Sequence, residues 1–115
     1  MSRIIVVDDD PDVRSAIAMV LEMDGHDCEL FGSAREAFDR HRAKPADVLL
    51  LDQMMPGMTG AEVCKMLRQN NDFTPVIFLS ADREIDRRVQ GLPQSKVIKK
   101  PFDMDELLES IRALQ

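Results

Sequence analysis

Cysteine is scarce in this 115-residue chain: Cys28 and Cys64 stand far apart and in no CxxC spacing. A metal ribbon or a redox pair therefore lacks its signature, and each thiol reads as a small packing residue. Basic residues are in deficit, with 15 Lys and Arg against 21 Asp and Glu and a net charge of -6. That balance repels a phosphate backbone and argues against direct nucleic-acid binding. Long apolar runs are missing: "IIVV" and "VLLL" fall far short of a membrane span, and Asp8 arrives where a signal peptide would continue apolar. A cytoplasmic protein without membrane association is expected. No Gly-rich loop follows the first apolar run, which disfavours a nucleotide-binding fold. Nor is there a linker, an internal repeat or a low-complexity stretch, and a chain of this length holds a single core. One soluble domain over residues 1–115 is expected.

What is present alternates between two kinds of segment. Short apolar runs occur at 3–7 ("RIIVV"), 28–31 ("CELF"), 48–51 ("VLLL"), 76–79 ("VIFL") and 96–98 ("KVI"). Their apolar residues run on without polar alternation, as in parallel strands covered on both faces. Between them lie helix signals. Asp10 and Pro11 cap and open a first helix, whose stripe is Val13, Ile17, Val20 and Leu21 and whose end is near Gly25. Ser33 with Glu36, and Thr59 with Glu62, match the S/T-x-x-E capping box. Ala34, Ala37 and Phe38 then line one face of the second helix, and Val63, Cys64 and Leu67 one face of the third. Asp103 caps a last helix with Met104, Leu107, Leu108 and Ile111 at i, i+3, i+4, i+7. Segment 83–91 offers only Ile85 and Val89 as anchors, enough for a short fourth helix. The alternation predicts a doubly wound α/β fold with a five-stranded parallel sheet.

In such a sheet, functional groups collect outside the carboxyl ends of the strands. The first strand ends in Asp8, Asp9 and Asp10, the third in Asp52, the fourth in Ser80 and the fifth in Lys100. Carboxylates gathered this way repel one another, and a divalent cation relieves that. Oxygen-only ligation suits Mg²⁺, with Asp9 and Asp52 as direct ligands and Asp8 acting through water. An Asp carboxylate beside such an ion can attack phosphorus to give an acyl phosphate, and Asp52 is placed to be that nucleophile. Ser80 and Lys100 would supply the hydroxyl and the ammonium for the transferred group. Taken singly each of these residues has a plainer reading: Asp10 as a helix cap, Ser80 or Lys100 as solvated strand ends. Their common edge carries the argument. His26 and His41 lack a ligand set and read as structural, and the methionines as core filling.

These residues are also those by which the chain resembles the receiver domains of two-component response regulators. "IIVVDDDPDVR" looks like their first strand and acidic pair, and "LLLDQMMPGMTG" like the D-x-x-M-P-x-x-x-G phosphoacceptor stretch. "PVIFLSA" resembles their hydroxyl-bearing fourth strand and "VIKKPF" their K-P-[FY] ending. The resemblance implies a flavodoxin-like strand order of 2-1-3-4-5. It implies that a histidine kinase or histidine phosphotransfer protein phosphorylates Asp52. Asp8, Asp9 and the backbone carbonyl of Met54 would organise Mg²⁺ with Asp52, Ser80 and Lys100 would contact the phosphoryl group, and Lys100–Pro101 would be cis. Signalling would then alter partner binding through the fourth helix, fifth strand and fifth helix, toward a downstream protein or a fused output domain; a stand-alone receiver is favoured.

Two departures stand out. Val97 occupies the place of the family's switching aromatic, and "GLPQSK" replaces the usual end of the fourth helix in a slightly compressed stretch between Ser80 and Lys100. Few anchors make 81–95 a mobile segment by expectation. Two other functions compete. A Mg²⁺-dependent phosphohydrolase of the haloacid dehalogenase type wants a second Asp two residues after the nucleophile, where Met54 stands. A phosphorylation-independent docking receiver is disfavoured by the intact acidic set. The chain is otherwise expected to carry no enzymatic activity beyond its own phosphotransfer and dephosphorylation.

Overall fold

β-Branched and aliphatic runs pair side by side in the computed structural model, which describes residues 2–55 and 57–114. The strands are β1 (Arg3–Val7), β2 (Asp27–Phe31), β3 (Val48–Asp52), β4 (Val76–Ser80) and β5 (Ser95–Lys99), all parallel, in the order β2-β1-β3-β4-β5. Helices α1 (Pro11–Met23), α2 (Ala34–Ala43), α3 (Gly60–Gln69), α4 (Ile85–Arg88) and α5 (Met104–Arg112) alternate with them. Met1, Pro56 and Gln115 lie outside the described residues, and with Pro56 the proline expected in the turn after Asp52.

Period-2 alternation splits the sheet into two packed layers. Ile5, Val7, Leu49, Leu51, Val76 and Phe78 face α2, α3 and α4. Ile4, Val6, Leu50, Ile77, Leu79 and Ile98 face α1 and α5. β3 and β4 are buried along their whole length, as continuous apolar runs predict. β2 and β5 differ: they form the sheet's two edges, and apart from the buried Ile98 their residues are half-buried or exposed.

The helix starts follow their caps. Asp10 accepts the N–H groups of Asp12 and Val13, Ser33 that of Glu36, and Asp103 that of Glu106. At α3 both arms of the Thr59–Glu62 box form. In α1 the buried stripe is Ile17, Ala18 and Leu21, with Val13 and Val20 only half-buried. The fourth helix is a single turn, held in the core by Ile85 and Val89 as expected. The connection after it is not left to apolar anchors alone, because Arg68 hydrogen-bonds the carbonyls of Pro93 and Gln94.

Both histidines are buried. The Nδ1 of His41 accepts the Ala46 N–H (3.0 Å), which places the ring proton on Nε2, 2.8 Å from Asp72. His26 accepts the Ser2 N–H at Nδ1 (3.2 Å). Each ties a loop to the sheet's amino-terminal edge, away from the acidic cluster.

On β2, Glu29 bonds Arg40 through two contacts (2.9 and 3.1 Å) and also pairs with Arg3. The hydrogen bonds from Arg40 and then Arg3 hold its carboxyl down at about 2. A depressed folded-state value means stability that is present above the ordinary carboxylate range and lost as pH falls through about 2. Glu29→Gln should therefore cost about 1 kcal/mol at pH 7, allowing for solvent screening of a partly exposed pair. Urea titrations should show that gap closing as the pH is lowered from about 5 toward 2.

Candidate phosphoacceptor and metal site

The alternation that sorts the core also sorts the charges. Continuing Ile4 and Val6 by one step of two places Asp8 on the α1/α5 side of the sheet, and continuing Val48 and Leu50 places Asp52 there. Ile98 leads in the same way to Lys100, whereas Lys99 points outward to Asp86 (2.8 Å). Ser80 closes β4 on the opposite parity, following Val76 and Phe78. The acidic groups thus meet where β1 adjoins β3, the point at which the strand order reverses.

Asp8 and Asp52 are nearly withdrawn from solvent, at 1% and 6% exposure, while Asp9 stays exposed. The Lys100 ammonium stands between the two buried carboxylates, 3.4 Å from Asp8 Oδ2 and 3.5 Å from Asp52 Oδ1. The other Asp8 oxygen accepts the Asp10 N–H (2.9 Å), and Asp52 Oδ1 accepts the Met54 N–H (3.4 Å). Burial pushes the Asp52 carboxyl up to about 6, the Asp8 charge adds to this, and Lys100 and the Met54 N–H oppose it. One ammonium thus balances the cluster only in part. Asp8, Asp9 and Asp52 each offer a carboxylate oxygen, and these oxygens lie within 4.8 Å of one another. Hard oxygen donors at this spacing, one of them reluctant to ionise, fit a Mg²⁺ ion with room for water. The Met54 side chain is 61% exposed beside Asp52. The buried Ser80 hydroxyl accepts the N–H of Asp82 (2.9 Å).

A comparison of the chain with known families agrees with this geometry. The model of the response regulator receiver domain matches residues 4–112. The chain belongs to that family. The receiver is 40% identical to the response regulator MprA of Mycolicibacterium vanbaalenii over 97% of this chain and 49% of that protein. It is equally similar to MprA of Mycobacterium tuberculosis, over 97% of this chain and 50% of that protein. It therefore spans about half the length of the curated relatives it matches. Among solved structures, the receiver domain of the Francisella response regulator 1452 superposes with a TM-score of 0.90 at 32% identity, covering 99% of this chain and 96% of that one. TrrA of Thermotoga maritima, in complex with Mg²⁺ and BeF, gives a TM-score of 0.86 at 28% identity, with full coverage of both chains.

Receiver residues that the sequence reading passed over brace this site. Gln53 is buried at 1% exposure; its side-chain oxygen accepts the Ala61 N–H (2.8 Å) and its carbonyl that of Gly60 (3.2 Å). It thereby fastens the start of α3 against the residue next to Asp52. Gly60 makes that approach possible, since a Cβ there would lie 3.0 Å from the Asp52 carbonyl oxygen. Arg14 reaches back from α1 to the Asp8 carbonyl (2.9 Å). A lone Gln following a buried strand was a visible signal for the first; Arg14 had none, because its target is a backbone atom. The cis Lys100–Pro101 bond is as the resemblance implies. No helix among the described residues is long and apolar enough to cross a membrane.

Proposed function

We propose that residues 1–115 form one phosphorylation-activated receiver in which Asp52 accepts a phosphoryl group from a histidine kinase or histidine phosphotransfer protein. An Asp52 oxygen bonds to phosphorus as the P–N bond of a phosphohistidine breaks, and the imidazole leaves with the electron pair. The observation that carries this reading is the convergence of buried Asp52 with Asp8 and Lys100 on one side of the sheet's carboxyl edge. Asp8, Asp9, Asp52 and the Met54 carbonyl would hold Mg²⁺, which supplies charge neutralisation when bound. Lys100 gives a second positive charge from the adjoining strand, and Ser80 a hydroxyl proton for a phosphoryl oxygen. The chain's own chemistry stops at taking up and losing this group.

The signal would leave through α4, β5 and α5, toward a protein partner or a fused output domain. A groove of about 510 Å³ on that face, bordered by Asp86, Val97, Phe102 and Glu106, supports docking there. The test is incubation with a small acyl-phosphate donor and Mg²⁺. A hydroxylamine-labile phosphoryl group mapping to residue 52 is expected, and a wild-type protein that takes up none would overturn the reading.

Met54 and Asp82 flank the approach of water to the acyl phosphate. Replacing the exposed thioether in Met54→Asn, which offers water a polar partner, should speed dephosphorylation roughly threefold to tenfold, equal to about 1 kcal/mol in barrier. Decay of the phosphorylated protein after donor removal measures this, and an unchanged rate would count against a role for position 54.

A further inference from the structure

We propose that the Asp82–Arg88 ion pair links α4 to the phosphoacceptor site, a task for which this chain has no aromatic residue at position 97. The inference rests on Asp52 being the phosphoacceptor. α4 is a single turn, too short to persist by its own hydrogen bonds, and its N-cap Glu84 makes no side-chain capping bond. Asp82 supplies what the cap does not. One of its carboxylate oxygens accepts the Glu84 N–H (2.9 Å) and the other accepts Arg88 Nε (2.7 Å). Its own N–H is donated to Ser80 Oγ (2.9 Å). Ser80, Asp82 and Arg88 therefore form one hydrogen-bonded chain from the buried hydroxyl to the last residue of the helix.

That chain has a natural input. A phosphoryl group on Asp52 would take the Ser80 O–H as donor while Oγ still accepts the Asp82 N–H, so a movement of Oγ toward the phosphoryl group stretches that second bond. A shift of Asp82 acts on both Arg88 and the Glu84 amide, because each is bonded to one of its carboxylate oxygens. Arg88 has space to follow: it borders a groove of about 530 Å³ whose opposite wall includes Met54 and Glu62. Val97 is only half-buried on β5, and an aliphatic side chain there has no long lever with which to couple the same two elements.

Arg88→Ala separates linkage from folding, since the Arg88 side chain is 53% exposed. Titration of the full chain with beryllofluoride and Mg²⁺ is followed by fluorine and amide NMR. Wild type should give a bound fluorine signal and amide shifts across residues 84–92. Arg88→Ala should keep the bound signal at similar ligand concentration while those shifts fall at least threefold, and Arg88→Lys should restore part of them. Asp82→Asn, which keeps the acceptor for Glu84 but loses the charge, should show the same fall in those shifts once its own bound signal is saturated. Shifts of wild-type size in both variants would overturn the linkage. Absence of a bound fluorine signal in the wild type would instead remove the phosphoacceptor reading, and the linkage with it.

Discussion

Asp52→Asn should take up no phosphoryl group and, without divalent cation at pH 7, should resist urea better than the wild type by about 2 kcal/mol. Both results come from the same crowding. The oxygen proposed to accept the phosphoryl group is lost to an amide, and the charge that burial and Asp8 oppose is removed with it. The sign follows from linkage: a carboxyl raised to about 6 in the folded state holds its proton more tightly there than in the unfolded chain. The stability contributed by that proton is complete below the ordinary carboxylate range and lost as pH rises through about 6. Ionised Asp52 therefore weighs on the fold at neutral pH, and the advantage of the amide variant should shrink as the pH is lowered toward 4. Added Mg²⁺ should stabilise the wild type more than the variant. A variant no more stable than wild type at pH 7 would show that Lys100 already balances the cluster.

Arg68→Ala should cost about 3 kcal/mol, the largest loss expected of any single surface-facing side chain here. Its guanidinium donates to the carbonyls of Pro93 (2.9 Å), Asp72 (2.7 Å), Thr74 (2.9 Å) and Gln94 (3.1 Å). It also lies over the Phe73 ring at 5.7 Å. Two loops, the one before β4 and the one before β5, are thereby fastened to the end of α3. Removing one charged donor leaves several carbonyls without their partner at once, each at a desolvation cost. Lysine offers one compact ammonium in place of the planar fork, so Arg68→Lys should recover less than half. Urea unfolding measures both variants, and amide exchange across residues 90–95 should accelerate in step. A loss below about 1 kcal/mol would mean that water replaces the clamp at little cost.

That clamp also explains why the stretch between Ser80 and Lys100 was the hardest to read. Apolar periodicity reports only the bonds a segment makes through its hydrophobic face. Here Ile85 and Val89 are the buried anchors of the α4 turn, and the remainder is held by polar bonds outside any apolar stripe: Asp82 to the Glu84 N–H and to the Arg88 side chain, and Arg68 to carbonyls more than twenty residues away. Position 97 was legible as a departure, but what stands in for the aromatic was not. The edge strands were misjudged for a related reason. "CELF" and "KVI" look as apolar as the central runs, and only the strand order decides which strands have neighbours on both sides.

The strands, the helix caps and the members of the acidic cluster were legible along the chain, because these depend on period, local hydrogen bonding and the alternation that carries Asp8, Asp52 and Lys100 to one side of the sheet. Packing decided how those residues meet: the 3.4 and 3.5 Å at which Lys100 stands from the two carboxylates, the way Gln53 locks α3 beside Asp52, and the hold of His41 and Arg68 on loops far from them in sequence. These are contacts between elements brought together by packing, and no local pattern encodes a partner whose distance along the chain is set by the fold.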